Sequence, residues 1–91
     1  MAVLKAMLSI PNTVGIAHIR VVPTPPTGRI KLLRSPDDAN PIVVTGTHQD
    51  VRIDLAEPCT IYYEFFPETT HVRIYTMGWE DPGGPPHFAQ P

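Results

Sequence analysis

Disulfide chemistry is missing from this chain. Its 91 residues include one cysteine, Cys59, which excludes an internal bridge and the stapled scaffolds of small secreted domains. Long apolar runs are missing too, and nothing approaches the ~20 residues of a helical membrane span. The opening "MAVLKAMLSIP" loosely imitates a secretory leader, but a lysine interrupts it and no small-residue cleavage site follows. A cytoplasmic location is expected. Glycine is sparse at six residues, whereas the twelve prolines are more than twice the usual share. That balance disfavours long helices and suits short strands separated by stiff turns. Acid is absent from the first third: all nine carboxylates lie from Asp37 to Asp81.

Motifs of catalysis are also wanting. There is no GxSxG elbow, P-loop or dinucleotide fingerprint. The four histidines, His18, His48, His71 and His87, lack the close spacing of zinc ligands, and no metal or other cofactor is expected. Cys59 follows Pro58 in a turn with no histidine nearby in the sequence, so it reads as a half-buried thiol and not a nucleophile. Asp54 and Glu64 could approach each other on neighbouring strands. Paired acids work across a substrate cleft, for which a fold this small has little room. An enzyme is not expected.

What is present describes one domain that is 42% hydrophobic and 18% charged. Pro11 ends an opening segment, residues 1–12, that fits either a short helix or a strand. "TVGIAHIRVVP" and "RIKLLR" read as strands, with "TPPTG" breaking the chain between them. After the loop "SPDDANP" come "IVVTGT", "DVRIDL", "TIYYEFF" and "HVRIYTM", strands of five to seven residues joined by short turns. Ile42 to Met77 is thus expected to form an antiparallel meander, and the two earlier strands bring the count to about six within a domain of residues 13–78. The expected fold is all-β, a small sandwich or barrel of immunoglobulin-like or jelly-roll character.

Alternation assigns the faces. Val51, Ile53 and Leu55, then Ile61, Tyr63 and Phe65, then Val72, Ile74 and Thr76 are expected to point inward. Tyr62, Phe66, Tyr75 and Met77 then share an outer face with Arg52, Asp54, Glu64 and Arg73. Cross-strand aromatic pairing explains such a face, and so does a contact patch, because these residue types are enriched at interfaces. Tyr62, Arg73 and Tyr75 also faintly resemble a base-stacking surface, but Asp54 and Glu64 beside them repel phosphate.

Charge is unevenly spread, although the net value is only −2. Lys5, Arg20, Arg29, Lys31 and Arg34 precede the first acid, and the remainder carries nine acids against two cations. A cationic third of this kind fits docking on an acidic surface or head-to-tail contact between copies. It fits equally well with pairing inside the fold.

The chain closes on "WEDPGGPPHFAQP", residues 79–91. Four prolines and two adjacent glycines bar it from a helix or a central strand. Extended, it would reach about 40 Å at ~3.3 Å per residue. Trp79, His87 and Phe88 are its anchoring side chains. Both ends are accordingly read as arms that lie on neighbouring subunits.

The stretch "IVVTGTHQDVRIDLAEPCTIYYEFFPETTHVRIYTM", without bridges or catalytic motif and between extended ends, resembles the small all-β decoration proteins of tailed-phage heads. Those cement proteins clamp capsid subunits after shell expansion. The resemblance implies a structural virion protein assembled in a host cytoplasm. Its partners would be capsid subunits or further copies in a symmetric array, with no membrane or nucleic acid. The alternative is a soluble binding module for carbohydrate or peptide that uses Tyr62, Tyr75 and Trp79 as a platform.

Overall fold

The computed structural model describes residues 3–81 and the backbone of 86–88. Among these residues there is no helix. Eight strands run β1 (Leu4–Met7), β2 (Ile16–Thr24), β3 (Arg29–Leu33), β4 (Ile42–Thr45), β5 (Gln49–Asp54), β6 (Thr60–Phe65), β7 (His71–Glu80) and β8 (Pro86–Phe88). They build two antiparallel sheets. One has the order β1-β6-β3-β4; the other is β5-β2-β7, with the short β8 added beyond β7.

The expected meander is corrected by this order. Only β3–β4 and β7–β8 are neighbours both in sequence and in a sheet, while β4, β5, β6 and β7 fall in alternate sheets. Alternating residues tell a strand which side is apolar, but both sheets of a two-layer fold turn an apolar side to the same core. The strand pattern is therefore blind to which sheet a strand joins.

The inward residues are those that alternation selects. Ala17, Ile19, Val21, Val51 and Ile53 of one sheet form a single buried cluster with Ile30, Leu32, Val44 and Ile61 of the other, and Leu8 closes one end. Tyr63, Phe65, Val72 and Ile74 pack against its margin. Tyr63 and Phe65 meet edge to face, with ring centroids 5.8 Å apart.

The ends differ from the expected arms wherever they are described. Leu4–Met7 pairs antiparallel with β6, setting Leu4 opposite Tyr63 and Met7 opposite Thr60. Trp79 and Glu80 finish β7, and Pro86–Phe88 pairs with it through Glu80 opposite Pro86. Proline is tolerated there because β8 is an edge. Residues 82–85 and 89–91 of the predicted tail lie outside the described residues, as do the side chains of His87 and Phe88.

One irregularity matters below. Along the β2–β7 pair, His18 faces Gly78 but Ile19 faces Thr76, so Met77 has no partner and forms a bulge. The bulge reverses the alternation in the last turn of β7. Trp79 comes to the side of Ala17, and Glu80 passes to the outside.

Candidate functional site

The outer face of the β1-β6-β3-β4 sheet takes its shape from cross-strand rungs. Lys5 lies opposite Tyr62, Tyr62 opposite Leu33, and Glu64 opposite Lys31. Lys31 Nζ is 3.3 Å from Glu64 Oε1. Arg29 Nε donates to Glu68 Oε1 at 2.6 Å, and its guanidinium lies 4.2 Å from the Phe66 ring centroid, a cation–π stack. The Tyr62 hydroxyl donates to Glu57 Oε2 at 2.8 Å; that bond, together with burial and the Glu57 charge, raises the phenol pKa.

The opposite outer face belongs to β5, β2 and β7. Arg20 makes two hydrogen bonds to Asp50, at 2.8 and 3.2 Å, and the register sets Tyr75 beside it. Glu80 accepts from Arg52 Nε at 2.6 Å and from Arg52 Nη2 at 3.2 Å, and the same carboxylate meets His18 Nε2 at 2.7 Å. The sequence offers no sign of this triad, because it requires the Met77 bulge to bring Glu80 outward over His18.

The predicted contact residues are thus distributed in a way that corrects the single aromatic face. Tyr62 belongs to one sheet, with Phe66 just past the end of its β6, and Tyr75 to the other. Trp79 shares the side of Ala17, so Tyr62, Tyr75 and Trp79 form no common platform. Met77 is the half-buried bulge residue.

The cationic third is neutralised within the fold. Arg20, Arg29 and Lys31 pair with Asp50, Glu68 and Glu64. Arg34 pairs with Asp38 at 3.2 Å, and the same carboxylate accepts the Arg34 backbone N–H at 2.9 Å. Only Lys5 and Arg73 of the seven cations have no ion pair among the described residues. Apart from Lys5, the predicted contact cations are therefore fixtures of the fold and not a free basic surface.

These pairs give the surface its acid response. Hydrogen bonds from Arg52 and then His18 depress the Glu80 pKa from the ordinary 4.5 to about 2; Asp50 and Glu68 are lowered by Arg20 and Arg29. A depressed folded-state pKa contributes stability that is complete above the unfolded value and disappears as pH falls through the folded one. Wild-type protein should lose denaturant resistance between about pH 4.5 and pH 2, and Glu80→Gln should flatten that decline. In a proton-detected titration the Glu80 carboxyl should change near pH 2; a midpoint at 4.5 would show that the triad does not hold it. Salt at ~1 M should weaken the effect, since the pairs are partly exposed.

The described apolar surface is concentrated elsewhere. Val3, Leu4 and Met7 are exposed on or beside β1, and Val43 is exposed on β4. These are the two edges of the same sheet. Met7 is the extreme case, with 67% of its surface in solvent. No known protein family, curated protein or solved structure matches this chain.

Proposed function

We propose that this chain is a non-enzymatic structural component of a larger assembly, specifically a decoration protein that fastens to the outside of a virion shell. The observation that carries the reading is the placement of exposed apolar side chains. Among the described residues, four of the five large ones, Val3, Leu4, Met7 and Val43, lie at opposite edges of one sheet. A small body with apolar groups on both flanks is suited to sideways contact with neighbours, where many weak contacts add through symmetry.

The charged groups support the same reading. Arg20, Arg29, Lys31, Arg34, Arg52, His18 and their carboxylate partners are committed to ion pairs within the fold. They stiffen the two outer faces and leave association to the edges. This moves the contacts from the terminal arms to the sheet margins.

The test is co-sedimentation of purified protein with expanded and unexpanded tailed-phage shells. Saturable binding at a fixed ratio to shell subunits, preferring the expanded form and raising its melting temperature, is the expected result. A chain that ignores every shell but binds an oligosaccharide or peptide saturably would replace this reading with a binding module.

A further inference from the structure

We infer that β1 is a self-association edge, and that two copies pair antiparallel about a two-fold axis at Ala6 to join their sheets into one. The inference goes beyond the shell reading and stands without it.

The hydrogen-bond phase of β1 is the starting point. Leu8 donates its backbone N–H to the Cys59 carbonyl at 2.7 Å, and the register places Met7 opposite Thr60 and Ala6 opposite Ile61. In an antiparallel ladder, pairs that exchange hydrogen bonds alternate with pairs that do not. Leu8, Ala6 and Leu4 therefore direct their backbone groups toward β6. Lys5 and Met7 direct theirs away from it, to the open side of the sheet, where β1 is the terminal strand. Among the described residues, no strand receives these two donors and two acceptors.

A second β1 fits this row in few ways. Side chains of paired residues must share a face, so each allowed register joins odd positions to odd and even to even. Centring on Lys5 sets two lysines directly opposite, which is destabilising. Centring on Ala6 sets Lys5 against Met7 of the second copy twice over. Both outward-facing residues of each strand are then hydrogen-bonded, giving four bonds. Leu4 comes opposite Leu8, and the small Ala6 side chains meet on the axis. The lysine stem lies along the methionine that is otherwise 67% exposed.

The other edges are less suited. β5 carries Asp50, Arg52 and Asp54 among its six residues, and charge is a usual guard of an edge. β4 is closed in by Pro41 on one side and by Gly46, at φ 94°, on the other. β8 begins with a proline. β1 has only Lys5 as a guard.

A four-residue edge buries less than a standard interface, so the dimer should be transient, with a Kd of about 0.1–1 mM. Sedimentation equilibrium of the full chain over that range should show reversible dimer. In NMR hydrogen exchange, the Lys5 and Met7 amides should gain protection as concentration rises. Those of Leu4 and Ala6 should be protected throughout. Met7→Lys places like charges opposite in two symmetric pairs and should weaken the dimer about tenfold, and Met7→Glu should tighten it about tenfold. The combined Lys5→Glu, Met7→Lys variant again sets opposite charges against each other in both pairs, so it should associate more tightly than wild type, by about the tenfold of Met7→Glu.

A chain that stays monomeric at ~1 mM would overturn the inference. So would a dimer indifferent to both Met7 variants, or one that Lys5→Ser tightens, the response expected of the lysine-centred register. Shell binding separates the two readings. A monomeric Met7→Lys chain that still decorates shells leaves the shell reading intact, whereas a normal dimer that binds no shell refutes that reading alone.

Discussion

Replacing Ile19 by alanine should remove about 3–4 kcal/mol of stability, the largest effect of any single truncation considered. Ile19 is fully buried on β2, the strand held between β5 and β7. Its side chain belongs to the cluster that Ile30, Leu32, Val44 and Ile61 complete from the facing sheet. Truncation loses the transfer energy of three carbons and leaves a void between layers that two hydrogen-bonded sheets cannot easily close. The position also adjoins the register slip after His18, so backbone relaxation there would disturb the ladder. Small domains have total stabilities at the low end of ~5–15 kcal/mol, so the variant should melt about 15–25 °C below wild type. Met7→Ala, on the exposed edge, should stay within about 0.5 kcal/mol. Equal losses at both positions would mean that the two sheets do not enclose the core described.

Gly28→Ala should cost about 2–4 kcal/mol although it adds a single carbon. A Cβ at this position would stand 2.5 Å from Thr69 Oγ1 and 3.0 Å from the Pro25 carbonyl oxygen. Neither neighbour is free to move. The Gly28 N–H donates to that carbonyl at 2.7 Å to close the turn before β3. The buried Thr69 hydroxyl accepts the Arg29 N–H and donates to the Arg29 carbonyl, each at 2.8 Å. The methyl group therefore displaces a clasp that joins the β2–β3 turn to the β6–β7 turn. Thr69→Ala should be destabilising in its own right, because it leaves both backbone groups of Arg29 without a partner. In the double variant the added carbon no longer meets a hydroxyl, so the combined loss should fall clearly below the sum. Strict additivity would show that the two residues do not touch.

The strands and their inward sides were legible because both follow from residue order. Val51 and Ile53, or Ile61 and Tyr63, alternate with polar neighbours, and the pleat turns that alternation into two faces. Sheet membership was not legible. Turns such as "AEPC" and "PETT" serve equally to reverse a strand within one sheet or to cross the ~10 Å between sheets. The placement of Tyr62 and Tyr75 in different sheets follows from that choice. The Met77 bulge was hidden for a related reason, since a bulge is a mismatch between two strands and neither strand records it alone. With it went the His18–Glu80–Arg52 triad. The charge polarity was plain in the sequence, but whether it faced outward or was spent within the fold depended on pairings 28–62 residues apart.

The pairing of the first strand with the sixth sets an order of events during synthesis. Leu4 finds its place beside Tyr63, so nothing in the nascent polypeptide can cover β1 until most of the domain has been translated. At ~5–20 residues per second, roughly 3–12 s pass between the two positions leaving the catalytic centre of the ribosome. Through that interval Val3, Leu4 and Met7, exposed even in the finished sheet, form an apolar ribbon with no β6 to lie against, so the first strand waits longer for its first partner than any other strand does.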